Sequence, residues 1–532
     1  MIAMKQIESF VRRSLWALLV TALVGAGCSE NLIDPSPAPA PAPAEKTDNA
    51  AINKWMFDYM KTHYFWNEAV RKVTPDYSLG YEDFLDDILE KVAAQTDEAG
   101  RPINYDDGHW EDGERSYFYS NIRRYKKSTA LGGGIRTRGT HKQADGLGIE
   151  VIIPSWLDNA QTRIIFIVAA VTPGSPADQA GLRRGDLISR VDGSAITDNA
   201  TLNTGWTKLL STESGTVRLT RYDMTAKQDL SEISITAASY ADNPVWMSKT
   251  VSTANGKKVG YLCYGSFNNY YDEALIEAFE QFRDERIDEL VLDLRYNGGG
   301  YVVSSAVLGT LVAGGAHKGE VYARTTYNES RQNEPADVYK LGEAQYNAAS
   351  SNFRHDPIAT ALLSAVGLSR IYVLCTDYTA SASELLINGL RGVGIEVRLI
   401  GSTTNGKNVG MEVHEKTFGD YKYEFSPITF YIENGKGESD YGNGFTPDVE
   451  VTDMPFYWTE TDETKEYHPL DWGDEENDML LACALFWIEK DRKPVVVSTA
   501  STRAFDGLQP LELRSPAPVR VQGMLRLPDP EE

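Results

Sequence analysis

The stretch Glu289-Leu-Val-Leu-Asp-Leu-Arg-Tyr-Asn-Gly-Gly-Gly300 decides the fold of the largest part of this chain. Its first six residues form an apolar run typical of a buried strand, and the apolar segment Val302–Val312 that follows predicts a helix. The three glycines between them remove every side chain from the turn, so that backbone amides can approach a ligand. A phosphate-binding loop is one interpretation, but no Gly-Lys-Ser/Thr follows the glycines, and an oxyanion site is favoured.

The same alternation of strand, turn and helix extends to both sides of this stretch. The pattern predicts strands at Val259–Tyr264, Ile371–Thr376 and Val397–Ile400 and helices at Asp272–Arg283 and Ser383–Arg391. Such alternation indicates a β/α crossover sheet with helices packed on it, over residues 245–493. The polar segment Tyr322–Asn352 is expected to be a surface excursion, and residues 494–532 a peripheral tail.

A second turn, Tyr378-Thr-Ala-Ser-Ala-Ser-Glu384, also lies between a predicted strand and a predicted helix. At its tip, Ser381 is expected to expose its hydroxyl near the positive end of the helix, with the Ala382 amide facing developing negative charge. The alternative is that Thr379, Ser381 or Ser383 simply caps the helix, and for this segment taken alone the cap is favoured.

A third segment, Gly401-Ser-Thr-Thr-Asn-Gly-Lys-Asn408, presents one lysine after the next strand. An isolated lysine is ordinarily a solvated surface charge, but this loop follows the strand next to the serine turn, so we expect Lys407 to approach Ser381. A lysine that accepts a serine proton must be neutral, and burial lowers the pKa of a lysine. We therefore expect Lys407 to lie in an apolar pocket and activity to rise on the alkaline side.

Residues 146–238 contain a different kind of motif. Gly146-Leu-Gly-Ile149 leads into the strand Glu150–Pro154, and Gly-Ser-Pro-Ala, Ala-Gly-Leu, Gly-Asp-Leu-Ile and Val-Asp-Gly follow in order between residues 174 and 193. This region resembles a PDZ domain of the bacterial protease type. In such a domain, exposed amides of Gly146, Leu147, Gly148 and Ile149 hold a peptide's terminal carboxylate, and the adjacent strand edge accepts the peptide as an extra strand. The alternative is that Gly146 and Gly148 merely make a tight turn.

Together, the three turns resemble the signature of the C-terminal processing (tail-specific) serine peptidases, which reads D-L-R-x-N-x-G-G, S-A-S-E and T-x-G-K. Lys407 follows Ser381 by 26 residues, close to the family's spacing, and Gly442-Asn-Gly-Phe-Thr-Pro-Asp448 resembles the G-x-G-I-x-P-D segment that closes the family's peptidase domain. The resemblance covers roughly residues 147–451. It implies a crotonase-like peptidase domain in which Ser381 is the nucleophile, Lys407 the general base, and the amides of Ala382 and Gly299 the oxyanion hole.

One position departs from the family pattern. Many members carry Gln or Glu four residues after the lysine to orient it, and this chain has Met411 there, with Glu412 or Glu415 as alternative partners. A Ser-His-Asp triad is the competing mechanism, and His414 is the histidine to test. The sequence contains neither H-E-x-x-H nor a G-x-S-x-G elbow, which disfavours a metalloprotease and a lipase or esterase.

The first fifty residues predict export and a membrane tether. A basic start precedes the apolar run Leu15–Ala26, which is short for a bilayer span and typical of a signal peptide over residues 1–27. The small residues before Cys28 resemble a bacterial lipobox, which implies that Cys28 becomes the acylated N-terminus; the alternative is an ordinary signal with an incidental cysteine. The Pro/Ala-rich linker over residues 28–50 favours extended polyproline II. We therefore expect a lipoprotein of the cell envelope, at the periplasmic face or the outer-membrane surface.

The remaining sequence bounds the class of protein. Ile52, Trp55, Met56 and Tyr59 share one helical face, and the region 51–130 is predicted to be a helical domain. The formal charge of −24 over 532 residues repels phosphate backbones and argues against a nucleic-acid partner.

These observations predict a multidomain α+β protein with a helical N-terminal region, a β-rich PDZ-like domain and a β/α crossover serine peptidase domain. The predicted activity is endoproteolysis of unfolded polypeptides or exposed C-termini, with no metal or organic cofactor. The alternative is a catalytically silent receptor that binds peptides through the PDZ domain and the peptidase fold.

Overall fold

The computed structural model describes residues 48–111, 114–126, 143–157, 162–344, 357–460, 464–495, 509–510 and 524–526. All of them belong to one structural unit, Asp48–Glu532. The predicted signal peptide, Cys28 and most of the Pro/Ala linker lie outside the described residues. Among those described, no helix has both the length and the apolar character needed to cross a bilayer.

The N-terminal region begins with three helices, α1 (Asn49–His63), α2 (Asn67–Val70) and α3 (Tyr81–Ala93). The prediction of a helical region is correct as far as Ala93. Beyond it the prediction is wrong, because three strands follow: β1 (His109–Glu111), β2 (Glu114–Tyr117) and β3 (Asn121–Lys126). β3 pairs with Tyr421–Ser426 of the peptidase region, and a pairing over such a sequence distance leaves no local periodicity to detect.

The PDZ region is built mainly from strands. They are β4 (Gln143–Gly146), β5 (Ile149–Trp156), β6 (Ile164–Val171), β7 (Leu187–Val191), β8 (Ser194–Ala195), β9 (Thr216–Asp223), β10 (Gln228–Thr236) and β11 (Ala238–Ala241), with helices α4 (Pro176–Gln179) and α5 (Asn199–Ser211). The main sheet has the order β10-β9-β7-β6-β5, and α5 covers it with an apolar core. β4, at the start of the region, pairs antiparallel with β11, at its end.

The peptidase region supplies the remaining large sheets. Its strands are β12 (Val245–Ser252), β13 (Lys258–Tyr264), β14 (Glu289–Asp293), β15 (Val321–Tyr327), β16 (Val338–Lys340), β17 (Arg370–Cys375), β18 (Glu396–Gly401), β19 (Val409–Glu412), β20 (His414–Phe418), β21 (Tyr421–Ser426), β22 (Ile428–Asn434) and β23 (Val449–Glu450). Its helices are α6 (Asp272–Glu285), α7 (Val302–Ala313), α8 (Pro357–Ala361) and α9 (Ala382–Gly392). The central sheet has the order β12-β13-β14-β17-β18-β23 and is parallel from β13 to β23, which confirms the predicted crossover sheet.

The segment Tyr322–Asn352 is not a surface excursion, and this expectation was wrong for its described part. β15 and β16 lie in a five-stranded sheet of order β16-β15-β22-β19-β27, in which β27 is Met524–Arg526, and Tyr322 is fully buried. The polar composition concealed this, because only every second residue of such a strand faces the core. Two glycines, Gly309 of α7 and Gly389 of α9, make room for the Tyr322 ring, and residues 345–352 lie outside the described part.

The chain then ends in β24 (Phe456–Glu460), β25 (Lys465–Pro469), α10 (Met479–Lys490), β26 (Gln509–Pro510) and β27 (Met524–Arg526). β26 pairs with the edge strand β5 of the PDZ region, and β27 pairs with β19 of the peptidase region. The expectation of a purely peripheral tail is therefore corrected for these five residues.

Candidate active site

The serine turn connects β17 to α9 at the carboxyl end of the central sheet. Ser381 is fully buried and has a φ of +60°, a conformation that is uncommon for a residue with a side chain. Ser381 stands at the N-cap position of α9, and its N–H donates to the Glu384 carboxylate as in a capping box, but its Oγ makes no side-chain cap hydrogen bond among the described residues. The two neighbouring hydroxyls are both hydrogen-bonded. Thr379 Oγ1 donates to the Leu294 carbonyl at 2.7 Å, and Ser383 Oγ donates to the Asn297 carbonyl at 2.9 Å. The turn therefore holds one free, buried hydroxyl.

The glycine turn after β14 lies directly against Ser381. At Gly299, a Cβ would come within 2.8 Å of Ser381 Cβ and 2.9 Å of the Ala382 nitrogen, and its φ is +104°. Only glycine permits this approach. Ala382 is the first residue of α9, so its amide has no acceptor within the helix. The Gly299 N–H donates to Asn297 Oδ1 at 3.0 Å, so this amide is already bonded in the structure.

Lys407 lies in the third loop, between β18 and β19, and is 1% exposed. Its Nζ has no hydrogen-bond partner among the described residues and sits 4.4 Å from the centroid of the Tyr119 ring. Burial lowers the pKa of Lys407 to about 7, although the carboxylates of Asp107 and Glu384 act in the opposite direction. A large fraction of the amine is therefore neutral near pH 7, which a general base requires.

Glu384 joins the serine turn to the lysine loop, and the sequence reasoning did not assign it a role. Its Oε2 accepts from the Ser381 N–H at 2.9 Å and from the Lys407 N–H at 2.8 Å. Its Oε1 accepts from Thr404 Oγ1 at 2.6 Å and from the Gly406 N–H at 2.7 Å. Burial raises the pKa of Glu384 to about 7, and these four donors oppose the rise. One buried carboxyl thus fixes both halves of the candidate dyad.

The segment Gly442–Asp448 closes over the lysine loop. Thr404 Oγ1 also accepts from the Phe445 N–H at 2.7 Å, and the Thr404 N–H donates to the Phe445 carbonyl at 3.2 Å. A Cβ at Gly406 would lie 2.5 Å from the Gly442 carbonyl oxygen, so the backbones of the two segments touch. The fourth sequence motif therefore shapes the loop that carries Lys407.

The residues considered as partners of Lys407 point elsewhere. Met411 is buried in the core shared by the N-terminal helices and β19. Glu412 is paired with Arg331, and Glu415 is paired with Lys422. His414 stacks on the Tyr59 ring at a centroid distance of 4.2 Å, so it is part of an aromatic cluster.

A buried ionic network supports the glycine turn from behind. Arg295 is fully buried and donates to Asp293, Asp453 and Asp478. Arg184 of the PDZ region donates to both carboxylate oxygens of Asp453, at 2.8 and 3.0 Å. Burial alone raises the pKa of Asp453, but the two guanidinium groups hold it well below its usual range. The network ties the PDZ region to the turn that contains Gly299.

The predicted carboxylate-binding loop of the PDZ region is buried in this structure. Leu147 is 2% and Ile149 0% exposed, and the Leu147 carbonyl accepts from the Ala177 N–H at 2.8 Å. Gly148 has a φ of +84°, and a Cβ there would lie 2.0 Å from Ser175 Cβ. The tight turn named as the alternative for Gly146 and Gly148 fits these contacts.

Comparison with protein families matches three segments of the chain. They are the peptidase S41 N-terminal domain at residues 51–105, a PDZ domain at residues 167–204 and peptidase family S41 at residues 258–451. No group of three or more His, Cys, Asp or Glu side chains suited to a metal ion occurs in the described part of the chain.

Two curated relatives carry related names. The carboxyl-terminal-processing protease of Picosynechococcus sp. is 26% identical over 277 residues, which is 52% of this chain and 57% of that protein. The chloroplastic carboxyl-terminal-processing peptidase 2 of Arabidopsis thaliana is 30% identical over 165 residues, which is 30% of this chain and 31% of that protein. The chain thus aligns with less than two thirds of the length of either relative.

A solved structure assigned to an S41 protease of Bacteroides fragilis NCTC 9343 shares the fold. The TM-score is 0.60 at 23% identity, with 82% of this chain and 97% of the other covered. The matches fall in the order S41 N-terminal domain, PDZ domain and peptidase family S41, and together they support the resemblance of this chain to the C-terminal processing serine peptidases.

Proposed function

We propose that this protein is a serine endopeptidase that hydrolyses peptide bonds of unfolded or C-terminally exposed polypeptides, using Ser381 and Lys407 as a catalytic dyad. One observation carries the proposal. A buried hydroxyl and a buried amine, both without a hydrogen-bond partner among the described residues, belong to residues whose backbone amides donate to the same oxygen of Glu384.

The reaction proceeds in two steps. Lys407 Nζ takes the Oγ proton of Ser381 while Oγ attacks the peptide carbonyl carbon, and the oxyanion binds the Ala382 amide. Gly299 supplies a second amide once Asn297 Oδ1 releases it. The C–N bond then breaks, Lys407 gives its proton to the leaving amine, and an acyl-enzyme remains. Water then attacks the ester carbon while Lys407 accepts its proton, and as the C–Oγ bond breaks Lys407 returns that proton to Ser381 Oγ, which releases the carboxyl product.

The PDZ region is proposed to bind the substrate's C-terminus. Gly146–Ile149 would hold the carboxylate after the loop opens, and β5 would accept the peptide as an added strand along the part of its edge that precedes Ser155 and Trp156, the two residues paired with β26. We also propose that Cys28 is acylated and tethers the enzyme in the bacterial cell envelope. Metabolic labelling with an alkyne fatty acid tests the tether, because the label is expected in the wild type and lost in Cys28→Ala.

Fragment mass spectrometry of an unfolded protein incubated with the full chain in detergent tests the proteolytic function. We expect fragments from the wild type between pH 7 and 9 and none from Ser381→Ala or Lys407→Ala. Equal cleavage by the wild type and Ser381→Ala would refute the dyad. A wild type that cleaves nothing but still binds peptides would instead support the alternative function, a catalytically silent peptide receptor.

A further inference from the structure

The amine of Lys407 lacks the polar partner that the sequence led us to expect, and its surroundings show what replaces it. Met411 and Glu412 are engaged elsewhere, as described above. The group that lies over Nζ is the ring of Tyr119, at 4.4 Å from the centroid. Tyr119 belongs to the N-terminal region, comes just before β3 and is 5% exposed.

Tyr119 is fixed at this place by two sets of bonds. Its hydroxyl donates to Asn405 Oδ1 at 2.9 Å, and the Asn405 N–H donates to the Thr379 carbonyl at 3.0 Å, so the ring is linked to both the lysine loop and the serine turn. The next residue, Ser120, donates through its N–H and its Oγ to Asp107, at 2.8 and 2.6 Å.

Asp107 is itself a buried carboxyl of the N-terminal region. It is 0% exposed and also accepts from the Tyr64 hydroxyl at 2.8 Å. Its charge favours the ammonium form of Lys407, as does that of Glu384, whereas Arg123 on β3 opposes it. Three of the groups that face Lys407, namely Tyr119, Asp107 and Arg123, therefore come from the N-terminal region.

We propose that Tyr119 is the positioning residue for Lys407, and that its ring, together with Asp107, does from the N-terminal region what a glutamine or glutamate four residues after the lysine does elsewhere. The π face restrains the amine and attracts its protonated form. The bulk and hydroxyl of Tyr119 keep the lysine loop against the serine turn. This inference rests on the proposed dyad, because a lysine that does not act as a base needs no positioning.

The test compares Tyr119→Leu, Tyr119→Phe and Asp107→Asn with the wild type in the full chain. Tyr119→Leu replaces the π face with a smaller apolar side chain, so the ammonium loses its attraction and the pKa of Lys407 falls. We expect the acidic limb of the kcat/KM profile to move down by about half to one and a half pH units, together with a lower kcat. Asp107→Asn is expected to move the limb in the same direction, whereas Tyr119→Phe keeps the wild-type limb.

Tyr77→Leu is the matched control. Tyr77 packs against Phe57 and Phe84 in the same N-terminal core, so this variant loosens that core without touching Lys407. It is expected to leave the acidic limb in place. A general loss of structure would lower activity at every pH and shift neither limb.

A second readout separates this inference from the proteolytic function. Competitive labelling of Lys407 with acetic anhydride across pH, read by peptide mass spectrometry, reports its titration whether or not the protein cleaves anything. A labelling midpoint that falls in Tyr119→Leu supports the inference even if the wild type is inactive, and inactivity then counts against the proposed function alone. An unchanged midpoint in Tyr119→Leu overturns the inference.

Discussion

Lys407→Met is expected to abolish proteolysis and to stabilise the folded protein. Methionine fills nearly the same buried space without an ionisable group, whereas the folded wild type must hold an amine whose pKa burial lowers from 10.5 to about 7. Each pKa unit corresponds to about 1.4 kcal/mol, so the full shift corresponds to about 5 kcal/mol. At pH 8 the unfolded lysine is still an ammonium, and neutralising it on folding costs about 3 kcal/mol.

The pH dependence of this stabilisation has a definite sign. Between pH 7 and 10.5 the unfolded wild type binds a proton that the folded wild type does not, so wild-type stability rises with pH in this window. The advantage of Lys407→Met is therefore expected to shrink by about 1.4 kcal/mol per pH unit above pH 7 and to disappear only above pH 10.5.

Urea unfolding followed by tryptophan fluorescence at pH 7, 8, 9 and 10 measures this difference. Lys318→Met, at an exposed position, is the matched control and is expected to change stability by less than about 0.5 kcal/mol at each pH. If the difference between the wild type and Lys407→Met does not change with pH, Lys407 is not a buried amine with a lowered pKa, and the argument for its role as a base fails.

Three further substitutions test the residues that position the candidate dyad. In Glu384→Gln, the new side-chain NH2 faces N–H groups whose hydrogen bonds the carboxylate accepted. We therefore expect kcat to fall about a hundredfold and the free energy of unfolding in urea to fall by about 2–4 kcal/mol. In Gly299→Ala, the new Cβ meets the serine turn and kcat should fall at least a hundredfold. Gly100→Ala, which also has a positive φ but no atom within 4 Å of the new Cβ, should keep its activity. Asp453→Asn should lower the free energy of unfolding by about 3–5 kcal/mol, against less than about 0.5 kcal/mol for the exposed Asp284→Asn; equal losses would refute the role of the ionic network.

Sequence reasoning located the central sheet accurately because its elements leave local signals. The strand predicted at Glu289–Leu294 is observed at Glu289–Asp293, and the helix predicted at Ser383–Arg391 is observed at Ala382–Gly392. A buried parallel strand is a continuous apolar run, and a helix beside it repeats every three to four residues. Both patterns can be recognised without knowledge of the neighbours.

The same reasoning named Ser381 and Lys407 as the candidate dyad but missed the residues that hold them. Glu384 follows Ser381 by three residues, a spacing that on its own indicates only a helix cap. Its contacts with Gly406 and Lys407 exist because β18 returns the chain to the serine turn. Tyr119 donates to Asn405, which lies 286 positions away in the sequence, and no local pattern of residues predicts such a contact.

The D-L-R part of the first motif illustrates why catalytic and supporting residues look alike in a sequence. Asp293 and Arg295 stand beside the glycine turn, but their partners Asp453 and Asp478 lie 158 and 183 positions from Arg295. A guanidinium with no exposed surface is tolerable only when its donors meet carboxylates, and removing one partner leaves a buried charge unpaired. Arg295 thereby fixes the backbone that presents Gly299 to Ser381, and Arg184 attaches the PDZ region to the same Asp453. The motif is therefore best understood as a joint between domains that ends in the glycine turn of the candidate active site. A change in its charged residues is expected to act on stability first and on chemistry only through the position of that turn.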